Sequence, residues 1–188
     1  MQASSIPVGI PVCSSGATAD DMPGITVAEE GNRRRGDMDT DEVAQCAKDI
    51  AGFFNAAQGG ASAESLQRMC KAAGECAALE AMLRVADGGI WYYEARALSA
   101  EEIVDRAAAL GKDGVVPFAA DLDDNLLVVL PSGAVAEWDE DGEGETVSPS
   151  FSEYLEAYSK NLLSGRWEFV DECGVMEKMG GGGGEAKK

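Results

Sequence analysis

Residues 115–138, VVPFAADLDDNLLVVLPSGAVAEW, decide the fold of this chain. Apolar residues fill 115–119 and 126–130, and the polar turn 121–125 joins the two runs. Residues 131–133, Pro-Ser-Gly, then make a tight turn into 134–138. Short apolar runs separated by polar turns are typical of an antiparallel meander, so this segment predicts three neighbouring strands of one sheet.

Helical patterns flank the meander on both sides. Apolar residues recur at helical spacing in 41–57, 62–73 and 79–85, and again after Ser99 and Ser150. Ser99 and Ser150 are each followed three residues later by a glutamate, which predicts a capping box at each helix start. The aromatic run 90–93 and the alternating run 167–170 predict two further strands. Helices, then a meander, then a closing helix indicate an α+β fold with an antiparallel sheet flanked by helices.

The two ends of the chain differ from this middle part. Residues 1–39 are rich in Ser, Gly, Pro, Asp and Ala without periodicity, and we expect a disordered arm in which Arg33–Arg35 form a solvated charge cluster. Residues 176–188 contain five consecutive glycines that no helix pattern follows, so they predict a disordered tail and not a phosphate-binding loop. The folded domain is therefore expected at 40–175, and the Ala-rich pattern leaves open whether 40–60 belongs to it.

The formal net charge of −19 restricts the partners of the chain. Affinity for nucleic acid and for anionic membranes comes largely from Lys and Arg, so neither partner is expected. No run of eighteen apolar residues and no signal-peptide pattern occurs, so no membrane span is expected either. A basic protein partner suits this charge, although solubility alone explains it equally well.

Acidic residues concentrate in the second half of the chain. Eleven lie between Asp121 and Glu156, a stretch without a single Lys or Arg. Many fall in the turn 121–125 and in a predicted acidic loop, 139–145. Because loops at one edge of a meander project together, these carboxylates either focus a negative potential on a partner or are merely solvated.

Catalytic and metal-binding patterns are weak. The chain has no histidine, and its five cysteines form no CxxC pair. Cys46, Cys70 and Cys76 lie within helical runs, two of them on apolar stripes, so a reactive thiol is not expected. Carboxylates in solvated turns do not predict the converging pair that a hydrolase needs. The loop 139–145 departs from the EF-hand pattern, and calcium binding there stays open. We expect no enzyme, no cofactor and reduced thiols in the cytoplasm, with the nucleus as an additional location.

Several segments, taken in order, resemble the SUKH superfamily. They are Gly88-Gly89 before an aromatic strand, the helix start 98–103, the Pro-Phe-Ala-x-Asp segment in 116–121, the runs 125–129 and 135–139, and the helix start 150–155. The resemblance covers about 60–172. It implies an α+β fold with a central antiparallel sheet. It also implies protein binding, since the family includes fungal cell-wall-assembly regulators and bacterial immunity proteins and shares no catalytic residues.

These observations predict a non-catalytic protein-interaction module with a regulatory or scaffolding role. An immunity protein that neutralises a toxin, with acids imitating nucleic acid, is the alternative, and a carboxylate-dependent hydrolase is a third class. In the predicted surface the aromatic residues anchor a basic partner and the acids select it. Its members are Trp91, Tyr92, Tyr93, Asp121, Asp123, Asp124, Asp139, Asp141 and Glu143.

Overall fold

The computed structural model describes residues 40–55, 59–171 and 173–178. Across these ranges the chain forms five helices, a six-stranded antiparallel sheet and a separate two-stranded hairpin. The predicted α+β fold is confirmed. The predicted arm 1–39 and residues 179–188 of the predicted tail lie outside the described residues. No helix within the described ranges has both the length and the apolar character needed to cross a bilayer.

The five helices are α1 (Thr40–Phe53), α2 (Ala63–Ala73), α3 (Ala77–Val85), α4 (Ala100–Leu110) and α5 (Phe151–Leu163). The capping box predicted at α4 is present, and of the box predicted at α5 the structure gives the bond to the Ser150 side chain. Ser99 and Glu102 form a reciprocal capping box at α4, and Ser150 Oγ accepts a hydrogen bond from the Glu153 N–H at α5. These bonds satisfy amide groups that the first helical turn leaves without a partner, so the local sequence determines where each helix begins.

The large sheet is an uninterrupted meander. Its strands are β1 (Trp91–Tyr92), β2 (Ala95–Ala97), β3 (Val116–Ala120), β4 (Leu126–Val129), β5 (Val135–Asp139) and β6 (Gly142–Ser148), and each pairs with the next in chain order. Because all pairings are antiparallel, the β3–β4 and β5–β6 turns lie at the same end of the sheet. The predicted meander is thus confirmed and extended by strands at both sides.

Three expectations about secondary structure are wrong. The aromatic run 90–93 is not one strand, because the chain reverses at Tyr93-Glu94 and Tyr92 pairs with Ala95. The predicted acidic loop 139–145 is a hairpin, with a turn at Glu140-Asp141 and the following residues in β6. The strand β8 (Gly174–Glu177) pairs with β7 (Trp167–Val170), so ordered structure continues past the predicted boundary at 175.

Two apolar clusters cover opposite faces of the sheet. Along β4, Val129 is buried in the main cluster, whereas Leu126 and Val128 are buried in a smaller one with Ala136 of β5. This division follows from the alternation of side chains along a strand. The main cluster also contains Val43, Ala47 and Ile50, the apolar positions of α1. Helix α1 therefore belongs to the domain, which answers the question that the sequence left open.

Aromatic side chains dominate the main cluster between the sheet and α5. Phe118 of β3 packs edge-on against Phe151 and Tyr92 at centroid distances of 4.9 and 5.4 Å. Tyr92 also contacts Tyr154 and Tyr158 of α5. Rings in these geometries stabilise a core beyond their buried area, so α5 is held firmly over the sheet.

Candidate functional site

The two acidic turns lie side by side at one end of the sheet. A groove of about 610 Å³ runs between them and the end of α4. Asp123 and Asp124 line it from the β3–β4 turn, and Asp139 and Asp141 line it from the β5–β6 hairpin. The structure therefore brings together acids from two turns that the sequence places fifteen or more residues apart. We call this groove the turn groove.

Asp121 organises the β3–β4 turn with its own carboxylate. Its Oδ1 accepts hydrogen bonds from the backbone N–H groups of Asp123 and Asn125, each at 2.9 Å, and its Oδ2 accepts one from Asn125 Nδ2 at 2.9 Å. An aspartate that bonds amides two and four residues onward stabilises a tight turn. The main role of Asp121 in this structure is therefore to shape the turn.

Two further acids in this region also have partners. Asp124 has a positive φ of 67°, and its Oδ1 lies 2.7 Å from Arg106 Nη2 of α4. Asp139 Oδ1 accepts a hydrogen bond from the Asp141 N–H at 2.8 Å, which closes the β5–β6 turn. A partner that approaches the turn groove therefore meets one arginine and two carboxylates, those of Asp124 and Asp139, that already accept hydrogen bonds.

A second groove, of about 580 Å³, opens on the α5 face of the sheet. We call it the aromatic groove. Tyr93 of the β1–β2 turn, Trp167 of β7 and Tyr154 of α5 supply aromatic rings, and Leu127 and Val147 add aliphatic surface. Helix α5 is tied to the sheet here because Tyr158 donates its hydroxyl hydrogen to the carbonyl oxygen of Trp91. The groove is therefore built from the sheet, one helix and the β7–β8 hairpin.

The charge of the aromatic groove has one sign. Its lining includes five carboxylates and neither a lysine nor an arginine; the five acids are Glu94, Asp121, Glu137, Asp139 and Glu177. Asp121 and Asp139 bond their own turns as described. The side chains of the three glutamates make no hydrogen bond or ion pair with any residue that the structure describes. Their charge is therefore available to a partner.

Tyr93 forms part of the groove under backbone strain. Its φ is 55°, a conformation that is rare for a bulky residue and persists only where the surroundings enforce it. Asn161 Nδ2 donates to the Tyr93 hydroxyl at 2.9 Å, and the ring packs edge-on against Trp167 at 5.2 Å. These contacts hold the ring in a fixed position beside Glu94.

The predicted surface residues separate into three groups. The residues that line the aromatic groove are Tyr92, Tyr93, Asp121 and Asp139, and those that line the turn groove are Asp123, Asp124, Asp141 and again Asp139. Glu143 is exposed on β6 opposite Trp138 and borders neither groove. Trp91 is half-buried, packs against Phe169 and lines a different, smaller cavity.

Tyr92 lines the aromatic groove but offers a partner almost no exposed surface. Its side chain is only 2 % exposed and lies among the rings of Phe118, Tyr154 and Tyr158, so its hydroxyphenyl group is a core element. Trp91 and Tyr92 are consecutive strand residues and point to opposite faces, which is why the run of three aromatic residues cannot form one surface.

The sequence missed three of the groove's acids and three of its rings, those of Trp138, Tyr154 and Trp167. Glu137 interrupts an otherwise apolar strand, a signal that was available, since a charge on a central strand indicates a solvated or functional face. Glu94 reaches the groove from the β1–β2 turn, Trp167 and Glu177 from the open end of the β7–β8 hairpin, and Tyr154 from α5. Their contribution depends on tertiary packing, which no local pattern reveals.

Burial suppresses the ionisation of several described thiols and phenols. Burial raises the pKa of Cys46 and of Cys76, and burial together with Glu80 raises the pKa of Cys70 to about 11. Burial likewise raises the pKa of Tyr154 and of Tyr158 far above the physiological range. Within the described ranges, no group of three or more Cys, Asp or Glu side chains is placed to hold a metal ion.

Comparisons with known proteins do not connect the chain or its two grooves to a family. No protein-family model matches the chain. A search of curated proteins gives no match either. The resemblance to the SUKH superfamily therefore stays a prediction.

Proposed function

We propose that this protein is a non-catalytic interaction module that binds a basic segment of a partner protein in the aromatic groove. One observation carries the proposal: five carboxylates and several aromatic rings line this groove without a single lysine or arginine. The neighbouring turn groove extends the negative surface around the end of the sheet. A regulatory or scaffolding role is the use that suits such a module.

The chemistry of the groove suits cationic side chains. Glu94, Glu137 and Glu177 offer carboxylates that no described residue neutralises. Tyr93 and Trp167 supply aromatic rings at the same place, and a cation near an aromatic face gains about 0.5–2 kcal/mol depending on how far it is desolvated. Lysine and arginine combine a cation with an apolar stem, so they suit a lining of acids and rings.

The state of the cysteines supports a reducing compartment for this function. Cys46, Cys70, Cys76 and Cys173 are all free thiols. Free thiols persist in the cytoplasm and nucleus, whereas secreted domains of similar size commonly form disulfides. We place the protein in the cytoplasm, with the nucleus as a second location.

The test measures binding of a fluorescent octapeptide of alternating arginine and threonine by anisotropy. The triple variant Glu94→Gln, Glu137→Gln, Glu177→Gln removes three carboxylates that have no structural partner. At about 0.2–1 kcal/mol for each exposed ion pair, we expect its affinity to fall on the order of tenfold at low salt. The difference should shrink at high salt, because screening weakens exposed charge pairs.

A control variant with the same change in net charge distinguishes the effect of the groove's carboxylates on affinity from the effect of overall charge. The variant Glu75→Gln, Asp105→Asn, Asp113→Asn removes the same charge from residues that line neither groove. We expect its affinity to stay within about twofold of wild type, since distant exposed charges are largely screened. Equal losses in the two triple variants would show nonspecific attraction and would contradict the proposed site.

A further inference from the structure

Strand β6 is the open edge of the large sheet. It pairs with β5 on one side, and no described strand pairs with its other side. With seven residues it is the longest described strand. The backbone groups along such an edge are unpaired and available to an added strand.

The composition of β6 gives this edge a negative charge. The strand reads GEGETVS, without proline, lysine or arginine. Glu143 and Glu145 are exposed, and their side chains have no partner among the described residues. Val147 is 46 % exposed, a large fraction for an apolar side chain, and it also lines the aromatic groove. The edge and the groove are therefore continuous at Val147.

Strand β6 contains a β-bulge opposite Glu137 of β5. Trp138 pairs with Glu143 and Ala136 pairs with Thr146, so Gly144 and Glu145 together lie opposite Glu137. Extra residues of this kind redirect side chains and sharpen the local twist. Glu137 lines the aromatic groove, and the groove's charge thus extends to the open edge.

We propose that the partner's basic segment binds as an extended strand that adds to β6 as a seventh strand of the sheet. This inference rests on the proposed function and specifies how the partner is held. Main-chain hydrogen bonds to β6 supply affinity, and alternate side chains of the added strand reach the carboxylates and the groove. Opposite charges on neighbouring strands stabilise the pairing, which favours arginine or lysine at these positions.

The same charges disfavour a second copy of this chain as the occupant. Two antiparallel β6 edges centred on Gly144 or Glu145 would place glutamates against glutamates, and like charges on facing strands destabilise pairing. Acids on an exposed edge also hinder aggregation of neutral strands. The edge is thus selective for a strand of positive charge.

The experiment uses backbone N-methylation, which removes a hydrogen-bond donor without changing the charge of the peptide. The arginine–threonine octapeptide is made in two further forms, one methylated at its arginine amides and the other at its threonine amides. In a strand, alternate amides point to opposite sides, so only one of the two sets faces β6. We expect one form to bind at least tenfold more weakly and the other to stay within about threefold of the parent.

Two protein variants locate the added strand. Glu143→Gln with Glu145→Gln should weaken the parent peptide about threefold to tenfold at low salt. Glu75→Gln with Asp113→Asn makes the same charge change elsewhere and should leave the affinity within about twofold. Equal effects of the two double variants would overturn the assignment to β6.

The remaining outcomes separate the two proposals. Equal binding by the two methylated peptides would overturn strand addition and leave the proposed function standing. Failure of every basic peptide to bind would refute the proposed function itself. Dimerisation of the free protein in light scattering, reversed by the parent peptide, would also overturn the inference, because a second copy of this chain would then compete for the edge.

Discussion

Val175 donates its backbone N–H to the carbonyl oxygen of Tyr93 at 2.9 Å, and this bond joins the β7–β8 hairpin to the β1–β2 turn. Tyr93 has a φ of 55°, and its ring and hydroxyl are held by Tyr158, Trp167 and Asn161. The strained turn and the hairpin therefore form one unit. Because this unit borders the aromatic groove, its integrity determines whether the groove exists.

Replacement of Gly174 by alanine should break this unit. A Cβ at Gly174 would lie 2.0 Å from the Tyr93 carbonyl oxygen, and the residue also has a φ of 89°. Gly133 has the same φ with open space around it, so Gly133→Ala measures the conformational strain alone. We expect Gly133→Ala to cost about 1–2 kcal/mol in free energy of unfolding, and Gly174→Ala to cost at least about 2 kcal/mol more. Urea denaturation measures both, and equal costs would contradict the close contact.

Replacement of Asp121 should destabilise the protein more than replacement of Asp123, although both residues lie in one acidic turn. The Asp121 carboxylate accepts three hydrogen bonds within the turn, whereas the Asp123 side chain accepts none from a described residue. We expect Asp121→Ala to lower the free energy of unfolding by about 1–2 kcal/mol and Asp123→Ala to change it by less than about 0.5 kcal/mol. Thermal denaturation of the two variants compares them at equal net charge. A similar loss in both would show that the turn does not depend on Asp121.

The helices and strands that the sequence predicts correctly are those whose signals lie within a few neighbouring residues. The Ser99–Glu102 box and the alternating residues of β3 to β5 carry their information within a few positions, and the structure reproduces both. Strand β6 was missed because Gly142–Glu145 have low strand propensity. Its pairing with β5 and the turn at Glu140-Asp141 override that propensity.

The candidate site was harder to predict because its parts come from separate elements. The β1–β2 turn at Tyr93-Glu94 has none of the glycine or asparagine residues that mark a hairpin, so Tyr92 was assigned to the surface with its neighbours. Strict alternation would have assigned Tyr92 and Trp91 to opposite faces. The placement of Trp167 and Glu177 depends on how the β7–β8 hairpin docks, and this is a tertiary contact.

The thiols of Cys70 and Cys173 should react with an alkylating reagent at different rates. Burial and the neighbouring Glu80 raise the pKa of Cys70 to about 11, so its reactive thiolate is scarce near neutral pH. Cys173 is exposed at the β7–β8 turn. We expect iodoacetamide near pH 7.5 to modify Cys173 at least about tenfold faster than Cys70, as followed by peptide mass spectrometry. Full denaturation should remove most of the difference, and equal rates in the folded protein would contradict the burial of Cys70.

The charge of Glu102 should stabilise the fold only above acidic pH. Partial burial disfavours its carboxylate, but hydrogen bonds from Arg96 at 2.5 Å and from the Ser99 N–H at 2.8 Å outweigh this and lower its pKa. A lowered folded-state pKa means that the stabilisation is fully present above the unfolded value of about 4.3 and is lost as the pH falls through the folded value. The substitution Glu102→Gln keeps a side-chain oxygen that can accept the Ser99 N–H hydrogen bond but removes the negative charge.

We therefore expect Glu102→Gln to be less stable than wild type at pH 7 by up to about 1 kcal/mol, an amount limited by the partial exposure of the pair. The difference should decrease steadily below about pH 4.3, where the unfolded carboxyl gains its proton. Glu101→Gln removes the same charge from the same helical turn, where the side chain pairs with Arg68 in solvent, and it controls for the helix dipole. Urea denaturation from neutral to acidic pH compares the three proteins. A difference between wild type and Glu102→Gln that stays constant with pH would show that the Arg96 pair does not stabilise the charged form, because protonation would then cost the folded state nothing.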